Sequence, residues 1–278
     1  MITISHINFK SIQLKVSEIP SVILLDYSNI SYDKIVVHGG LNSKVSPNIN
    51  IINTEKSNIL NKTHFEEFIQ SISNLNYAGG TSRARYIQIR GLGELSQFSG
   101  EGPPHFYIAH IIDDIDFSGV GISLLSDIKQ IEIFKGPQSS VYGPNSMGGI
   151  INVISNDPTD KKEFLFKSSF SKYNGININT LFSYPLSRKL NARFTYHILK
   201  SDGYIKNDFI HSHRTSSINE ELFRIKLIYN LSEYLKLKFT SYIINMNNGY
   251  DHWTPDNNGY ITYTDFRGED NQRTQAYS

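Results

Sequence analysis

The residues that could carry chemistry are few. His211 and His213 flank Ser212, with His197 upstream. Imidazoles at i and i+2 could share a metal ion. Spacing assigns no third ligand, however, and a solvated loop is the plainer reading of the pair. Asp113, Asp114 and Asp116 offer the oxygen ligands that a hard cation such as calcium prefers. Their spacing is not that of an EF-hand loop, and a turn with solvated carboxylates is the expectation. Gly91-Leu92-Gly93 is not a phosphate loop, because no Gly-Lys-Ser/Thr follows and no helix opens after it. No Ser/His/Asp triad or pair of carboxylates stands out, so no enzyme, no metal and no cofactor is expected. The chain has no cysteine, which excludes disulfide frameworks, cysteine-based zinc sites and cysteine nucleophiles.

Composition narrows the class further. Hydrophobic residues make up 39% and charged residues 19%, with 17 Tyr and 16 Phe. That is polar for a soluble core yet rich in Tyr and Phe, a balance that suits β-structure with aromatic girdles. The net charge is +1, so the basic excess of a nucleic-acid binder is missing and no nucleic acid is expected as a partner. No apolar run approaches the ~20 residues of a spanning helix. The residues from Met1 to Lys15 show no basic region followed by an apolar one, so no secretory signal peptide is visible.

The elements that would position these residues fall into two kinds. Residues 1–32 match no recognisable pattern. Lys34-Ile35-Val36-Val37 is a short extended run before Gly39-Gly40. Over 48–157 the signals are mixed. Asn50 to Asn53 reads as a strand. Thr63 with Glu66 three residues on reads as a capping box, with Phe65, Phe68, Ile69 and Ile72 forming one apolar helix face. Tyr86 to Arg90 alternates as a strand, and Phe106 to Ile112 suggests another. The segment from Asp127 to Ile154 reads as strand, tight Gly136-Pro137 turn, helical turn, second tight turn, strand. Over 158–278 alternation takes over: Phe164, Phe166 and Phe170, then Phe194, Tyr196 and Ile198, then Phe223, Ile225 and Leu227, then Leu237 and Phe239. These oppose Lys, Arg, Asn, Ser and Thr on the other face. A soluble sandwich also alternates. Segments of roughly 9 to 11 residues suit a tilted crossing of a bilayer. Short turns that alternate with long polar loops also suit a membrane barrel.

The order Glu132, Gly136-Pro137, Gly143, Gly148-Gly149 resembles the most specific motif in the plug domain of TonB-dependent outer-membrane receptors. Ile89-Arg90-Gly91 is similar to that family's IRG motif, Asn74 to Arg83 to the segment before it, and Asp113 to Gly119 to a following turn. Ser201-Asp202-Gly203-Tyr204-Ile205 and Asn248-Gly249-Tyr250-Asp251 resemble early barrel strands and loops. The family usually has Arg where this chain has Lys135, which keeps the charge but loses the bidentate fork.

The resemblance implies an α+β plug domain followed by the antiparallel strands of an incomplete transmembrane β-barrel. The domain reading is 1–32 unassigned, 33–47 a TonB-box-like extended segment, 48–157 the plug and 158–278 the first barrel strands. Five strands and the start of a sixth near Arg273 fall short of the family's 22, so the expectation is a fragment that transports nothing alone. The intact receptor would sit in a Gram-negative outer membrane, in contact with its lipid. It would import a scarce ligand, most often a ferric siderophore, with TonB as energy-coupling partner. The alternative is a non-transporting plug-like binding module or decayed receptor remnant. Ile35, Val36 and Val37 are the candidate TonB contact, by addition to a sheet edge. Arg90, Gly91, Glu132, Lys135, Gly136 and Pro137 form the candidate plug motif and clamp. Gln97, Phe98, Glu101, Tyr250 and Trp253 are the candidate ligand-facing residues.

Overall fold

Alternating β-branched and aromatic residues build strands wherever they recur in the computed structural model of this protein. The structure describes residues 2–6, 9–14, 49–53, 63–69, 72–78, 82–83, 85–93, 106–120, 124–212, 214–251 and 258–278. Contacts divide the chain into two units, Met1–Gly40 and Leu41–Ser278. In the first, β1 (Ile2–His6) pairs antiparallel with β2 (Phe9–Leu14).

The second unit begins with a globular part. Its strands are β3 (Ile49–Asn53), β4 (Leu75–Ala78), β5 (Tyr86–Ile89), β6 (Ile108–Ile112), β7 (Ile115–Asp116), β8 (Ile128–Lys135) and β9 (Gly149–Ser155). The helices are α1 (Glu66–Ile69) and α2 (Ser139–Tyr142), the latter followed by a 3-10 turn at Pro144–Ser146. One sheet runs in the order β3-β8-β9-β6-β7, and β4 pairs with β5 separately. The pair β6–β9 is parallel; the other pairs in this sheet are antiparallel. Ile131, Ile133, Ile151 and Val153 are fully buried, because both faces of the central strands are covered. Phe65, Phe68, Ile72, Leu75 and Ile89 join the same core.

Two expectations are corrected here. Thr63 stands three residues before the first helix rather than at its N-cap, and its backbone N–H and hydroxyl both donate to Glu67, at 3.3 and 3.0 Å, not to Glu66. The helix starts at Glu66, so the reaching carboxylate lies one residue later, and Glu66 turns toward Arg83 instead. Asp113 is not solvated. Asp113 and Asp114 form the two-residue β6–β7 hairpin turn with φ 47° and 66°, a left-handed geometry that Asp tolerates. Asp114 and Asp116 are exposed, whereas the Asp113 side chain turns inward and is buried.

The wall follows: β10 (Glu163–Ser171), β11 (Gly175–Pro185), β12 (Leu190–Ser201), β13 (Lys206–Asn207), β14 (Ile218–Asn230), β15 (Lys236–Tyr250), β16 (Ile261–Thr262) and β17 (Gly268–Tyr277). Six of these form one open antiparallel sheet, β10-β11-β12-β14-β15-β17. The short strands β13 and β16 pair with each other in parallel and join the two long loops. Burial alternates along each of the middle strands. Glu220, Leu222, Arg224 and Lys226 are buried on β14, and Thr240, Tyr242, Ile244, Met246 and Asn248 on β15. The opposite face is apolar and exposed: Phe164 70%, Phe170 78%, Phe182 42%, Leu237 53% and Phe239 46%. A sandwich would hide that face against a second sheet. Here the mostly polar face is the covered one, and it is covered by the globular part, since Leu222, Tyr242, Ile244 and Met246 share a core cluster with Phe65, Ile131 and Ile151. An apolar exterior around a polar interior is the pattern of a barrel wall in lipid.

Strand ends differ from the sequence expectation. The sequence reads as long loops over 200–220 and 246–272, yet β14 begins at Ile218, β15 runs on to Tyr250 and β17 begins at Gly268. The extra residues of β14 and β17, Asn219, Glu220, Glu221, Glu269, Asp270 and Asn271, are polar on both faces, so alternation of hydropathy could not reveal them.

Candidate functional site

The chemistry of this protein concentrates where the globular part meets the wall. Two clusters of buried charge join them, one at each end of the wall strands. The first lies toward the short turns Leu186–Lys189 and Leu231–Leu235. Asp127 precedes β8 in a left-handed conformation, φ 56°, which throws its carboxylate out from the sheet end. Arg193 of β12 grips it with two parallel bonds, Nε to Oδ2 and Nη2 to Oδ1, both 2.7 Å. Arg224 of β14 donates Nη2 to Oδ2 at 2.9 Å and Nη1 to the Ser126 carbonyl at 3.0 Å. Thr195 and Asn156 complete the shell at 3.2 and 2.8 Å. Such bidentate, charge-assisted bonds are among the stronger polar contacts available to a protein.

Asp113 is the second carboxylate at this end. It accepts from Lys226 Nζ at 3.2 Å, from the Ser155 hydroxyl at 2.6 Å and N–H at 3.0 Å, and from the Tyr242 hydroxyl. Lys226 also reaches Asp157 at 3.2 Å, and Lys238 reaches Asp157 at 3.1 Å. Burial by itself would raise the pKa of all three aspartates. The opposing cations and donated hydrogen bonds outweigh it and hold each carboxyl below its ordinary range.

The other end lies toward the long loops, and its polarity is reversed. Here the globular part supplies the cations. Arg83 Nε donates to Glu220 of β14 at 2.5 Å, and Arg85 Nη2 donates to Asp270 of β17 at 2.6 Å. Ser82 donates its N–H and hydroxyl to Asp270 at 3.2 and 2.7 Å. Asn248 of β15 bridges the cluster, donating to both Glu220 and Ser82 at 2.7 and 3.0 Å.

The residues singled out from the sequence sit as follows. Glu132 is fully buried and accepts from Gln130 and Asn152, both within the globular sheet, at 2.5 and 3.0 Å. Lys135 donates to the Ser73 carbonyl at 2.8 Å, also within the globular part. Arg90 is exposed at a turn with φ 55°, followed by Gly91 at φ 78°. Gly136 takes φ 141° and Pro137 is exposed, so the pair serves the turn after β8. Tyr250 ends β15 half-buried, with its ring against Gly268. His197 faces inward and shares a hydrogen with Asn177 at 2.8 Å, while His211 is exposed in its loop. Ile35, Val36, Val37, Gln97, Phe98, Glu101, His213 and Trp253 lie outside the described residues.

Asp127, Asp113, Arg83 and Arg85 were not assigned to the wall contact from sequence. One signal was available. The polar face of the wall strands carries Arg193, Arg224 and Lys226, and buried cations need carboxylates. Glu163 of the wall supplies one of them, to Arg193 at 2.9 Å, and the globular part supplies Asp113 and Asp127.

Residues 42–150 match the family described as TonB-dependent Receptor Plug Domain. The fold is similar to that of the ferric yersiniabactin uptake receptor FyuA from Yersinia pestis, with TM-score 0.64 and 19% identity over 77% of this chain and 34% of that one. It is also similar to the ferric-catecholate import receptor Fiu from E. coli K12, with TM-score 0.57 and 14% identity over 72% of this chain and 27% of that one. The siderophore receptor PiuA from Acinetobacter baumannii gives TM-score 0.55 and 16% identity over 74% and 28%. At these identities the likeness to the solved receptors is one of fold, and the chain spans about a third or less of their length.

Proposed function

We propose, from the premise that this chain carries a TonB-dependent receptor plug domain followed by wall strands of the same receptor fold, that it supplies the gate and first wall strands of an outer-membrane import receptor. The receptor's cargo is a scarce ligand, of which a ferric siderophore is the leading class. The observation that carries this reading is the inverted wall. Its apolar face is exposed, and its polar face grips the plug through Asp113, Asp127, Arg83 and Arg85. An apolar exterior needs lipid, and a filled interior needs a gate that moves before anything passes.

In this reading residues 33–47 are the coupling segment, 48–157 the plug and 158–278 wall. Ile35, Val36 and Val37 add as an extended peptide to a sheet edge of TonB. Arg90 and Glu132 hold the plug's own fold, as does Lys135. Gln97, Phe98, Glu101, Tyr250 and Trp253 face incoming ligand. The six-stranded sheet has open edges at β10 and β17. Unpaired backbone groups in hydrocarbon cost several kcal/mol each, so uptake requires a wall closed by further strands. The siderophore receptors among the structural neighbours support the ligand class.

The test is growth of an uptake-deficient strain carrying the closed receptor that contains this chain, on a panel of ferric siderophores as sole iron source. Growth on at least one member is the expected result. Outer-membrane insertion without growth on any iron source removes the iron assignment and moves the search to other scarce ligands.

A further inference from the structure

The reversed polarity of the two charge clusters carries an inference about how the plug moves, which rests on the receptor reading above. We propose that the Asp113–Asp127 end is a fixed pivot and that the Arg83–Arg85 end separates from the wall independently, so the plug swings rather than slides.

Sliding is opposed by charge. At the short-turn end the plug is acidic and the wall basic; at the long-loop end the plug is basic and the wall acidic. Glu220 and Arg224 lie on the same face of β14, roughly 13 Å apart at strand spacing. A plug displaced that far toward the long loops brings Asp127 against Glu220 instead of Arg224. Like charges then meet in a buried setting, and Arg224 is left buried without its carboxylate.

The two ends also differ in what holds them. The pivot lies beside the covalent link from β9 to β10. Within that link Asp157 pairs with Lys226 and Lys238, and the Thr159 N–H donates to Ser183 of β11 at 3.1 Å. A group tethered that closely re-forms its contacts as an intramolecular event. Both pivot aspartates are tied into the sheet end. The Asp113 N–H donates to Val153 and the Asn156 N–H to Asp127, each at 3.0 Å. Arg224, which reaches from the wall to Asp127, has a side chain 2% exposed and Arg193 7%, whereas at the other end Arg83 is 9% and Arg85 26% exposed, so that end has one cation open to water. Water can therefore replace the wall as a partner for Arg85 far more readily than for Arg224.

Hydrogen exchange on the chain in detergent micelles, followed by mass spectrometry of peptides spanning 82–93 and 124–135, tests this without TonB or ligand. Failure here is thus distinct from failure of the uptake assay. Asp270→Asn should speed exchange in 82–93 by at least about tenfold and leave 124–135 within about twofold of the parent. Asp127→Asn should speed both. A plug that moves as one body predicts that Asp270→Asn speeds both peptides, and that result overturns the pivot. So does an Asp270→Asn variant that changes neither, or an Asp127→Asn variant that changes 124–135 alone. Should Asp127→Asn fail to fold, a second measurement decides. Ser126 Oγ lies 2.9 Å from Asn179 Oδ1, and the chain has no cysteine of its own. In the Ser126→Cys/Asn179→Cys protein, oxidised so that the two thiols form one disulfide, Asp270→Asn should still speed 82–93. Loss of that response means the long-loop end cannot open while the other end is held.

Discussion

Asp127 is the residue on which most of the wall contact converges. It collects two arginines, a threonine and an asparagine. Removing its charge leaves Arg224 and Arg193 facing a buried neutral amide. Asp127→Asn should therefore cost about 3–5 kcal/mol, the range for breaking one side of a buried ion pair. Urea titration in detergent, monitored by Tyr fluorescence, reads this directly. A loss under about 1 kcal/mol means that water already compensates these cations. A second residue governs acid sensitivity. His110 on β6 is fully buried, and burial lowers its pKa from 6.5 to about 4. Asp116 partly opposes that shift and His64 adds to it. The unfolded chain takes up a proton below pH 6.5 that the folded one refuses until about pH 4, so stability falls as pH drops through this window. Between pH 7 and 5 the loss is about 2 kcal/mol. His110→Leu should reduce the loss over that segment by about 2 kcal/mol. Asp113, Asp127 and Asp157 work in a lower window. Their folded pKa values are depressed, so their stabilisation is complete above the unfolded value of 3.8 and disappears as pH falls through the folded values. A His110→Leu variant that loses as much stability between pH 7 and 5 as the parent refutes the assignment to this residue.

At the scale of the element, the wall strands behave as the alternation demands, with the apolar set outward. Ile225 stands mid-strand on the outer face of β14, flanked by buried Arg224 and Lys226. Ile225→Lys should cost about 2–4 kcal/mol in a bilayer, the price of an ammonium on the lipid face near mid-depth. Ile225→Val should cost under about 1.5 kcal/mol. Equilibrium folding into lipid vesicles separates the two. Equal, small effects would place that face in water. The first helix teaches a different lesson. The capping box of Thr63 and Glu66 does not form: His64 and Phe65 separate Thr63 from helix α1, and the carboxylate that reaches back is Glu67. A helix end that shifts by a residue or two from the sequence signal changes which carboxylate reaches back.

For the whole molecule, the central expectation concerns coupling. Ile35→Pro removes a backbone donor from the proposed strand addition and should abolish capture of the chain by the periplasmic domain of TonB. The same change should leave the plug core intact, since the second unit begins at Leu41. Unchanged capture in a pull-down of the detergent-solubilised chain would reassign the coupling segment.

Much of this architecture is legible in the sequence. The strand–turn–helix–turn–strand run from 127 to 154 appears as β8, α2, the 3-10 turn and β9. The division between mixed α/β and pure alternation falls where the wall begins at β10. Both are local facts. Periodicity and turn residues act over a few neighbours, and their physical cause, steric preference and one-sided burial, is contained in the segment itself. Which side of the alternating sheet is covered by protein and which is left exposed was not contained there, and neither were the partners of the buried charges. Asp127 meets Arg193 and Arg224 across 66 and 97 residues of chain, and Asp113 meets Lys226 across 113. Their pairing depends on the register of three wall strands and on left-handed turns that aim each carboxylate at the wall. Only the folded arrangement decides that, because electrostatic attraction selects among groups already brought together and says nothing of which groups the chain will bring.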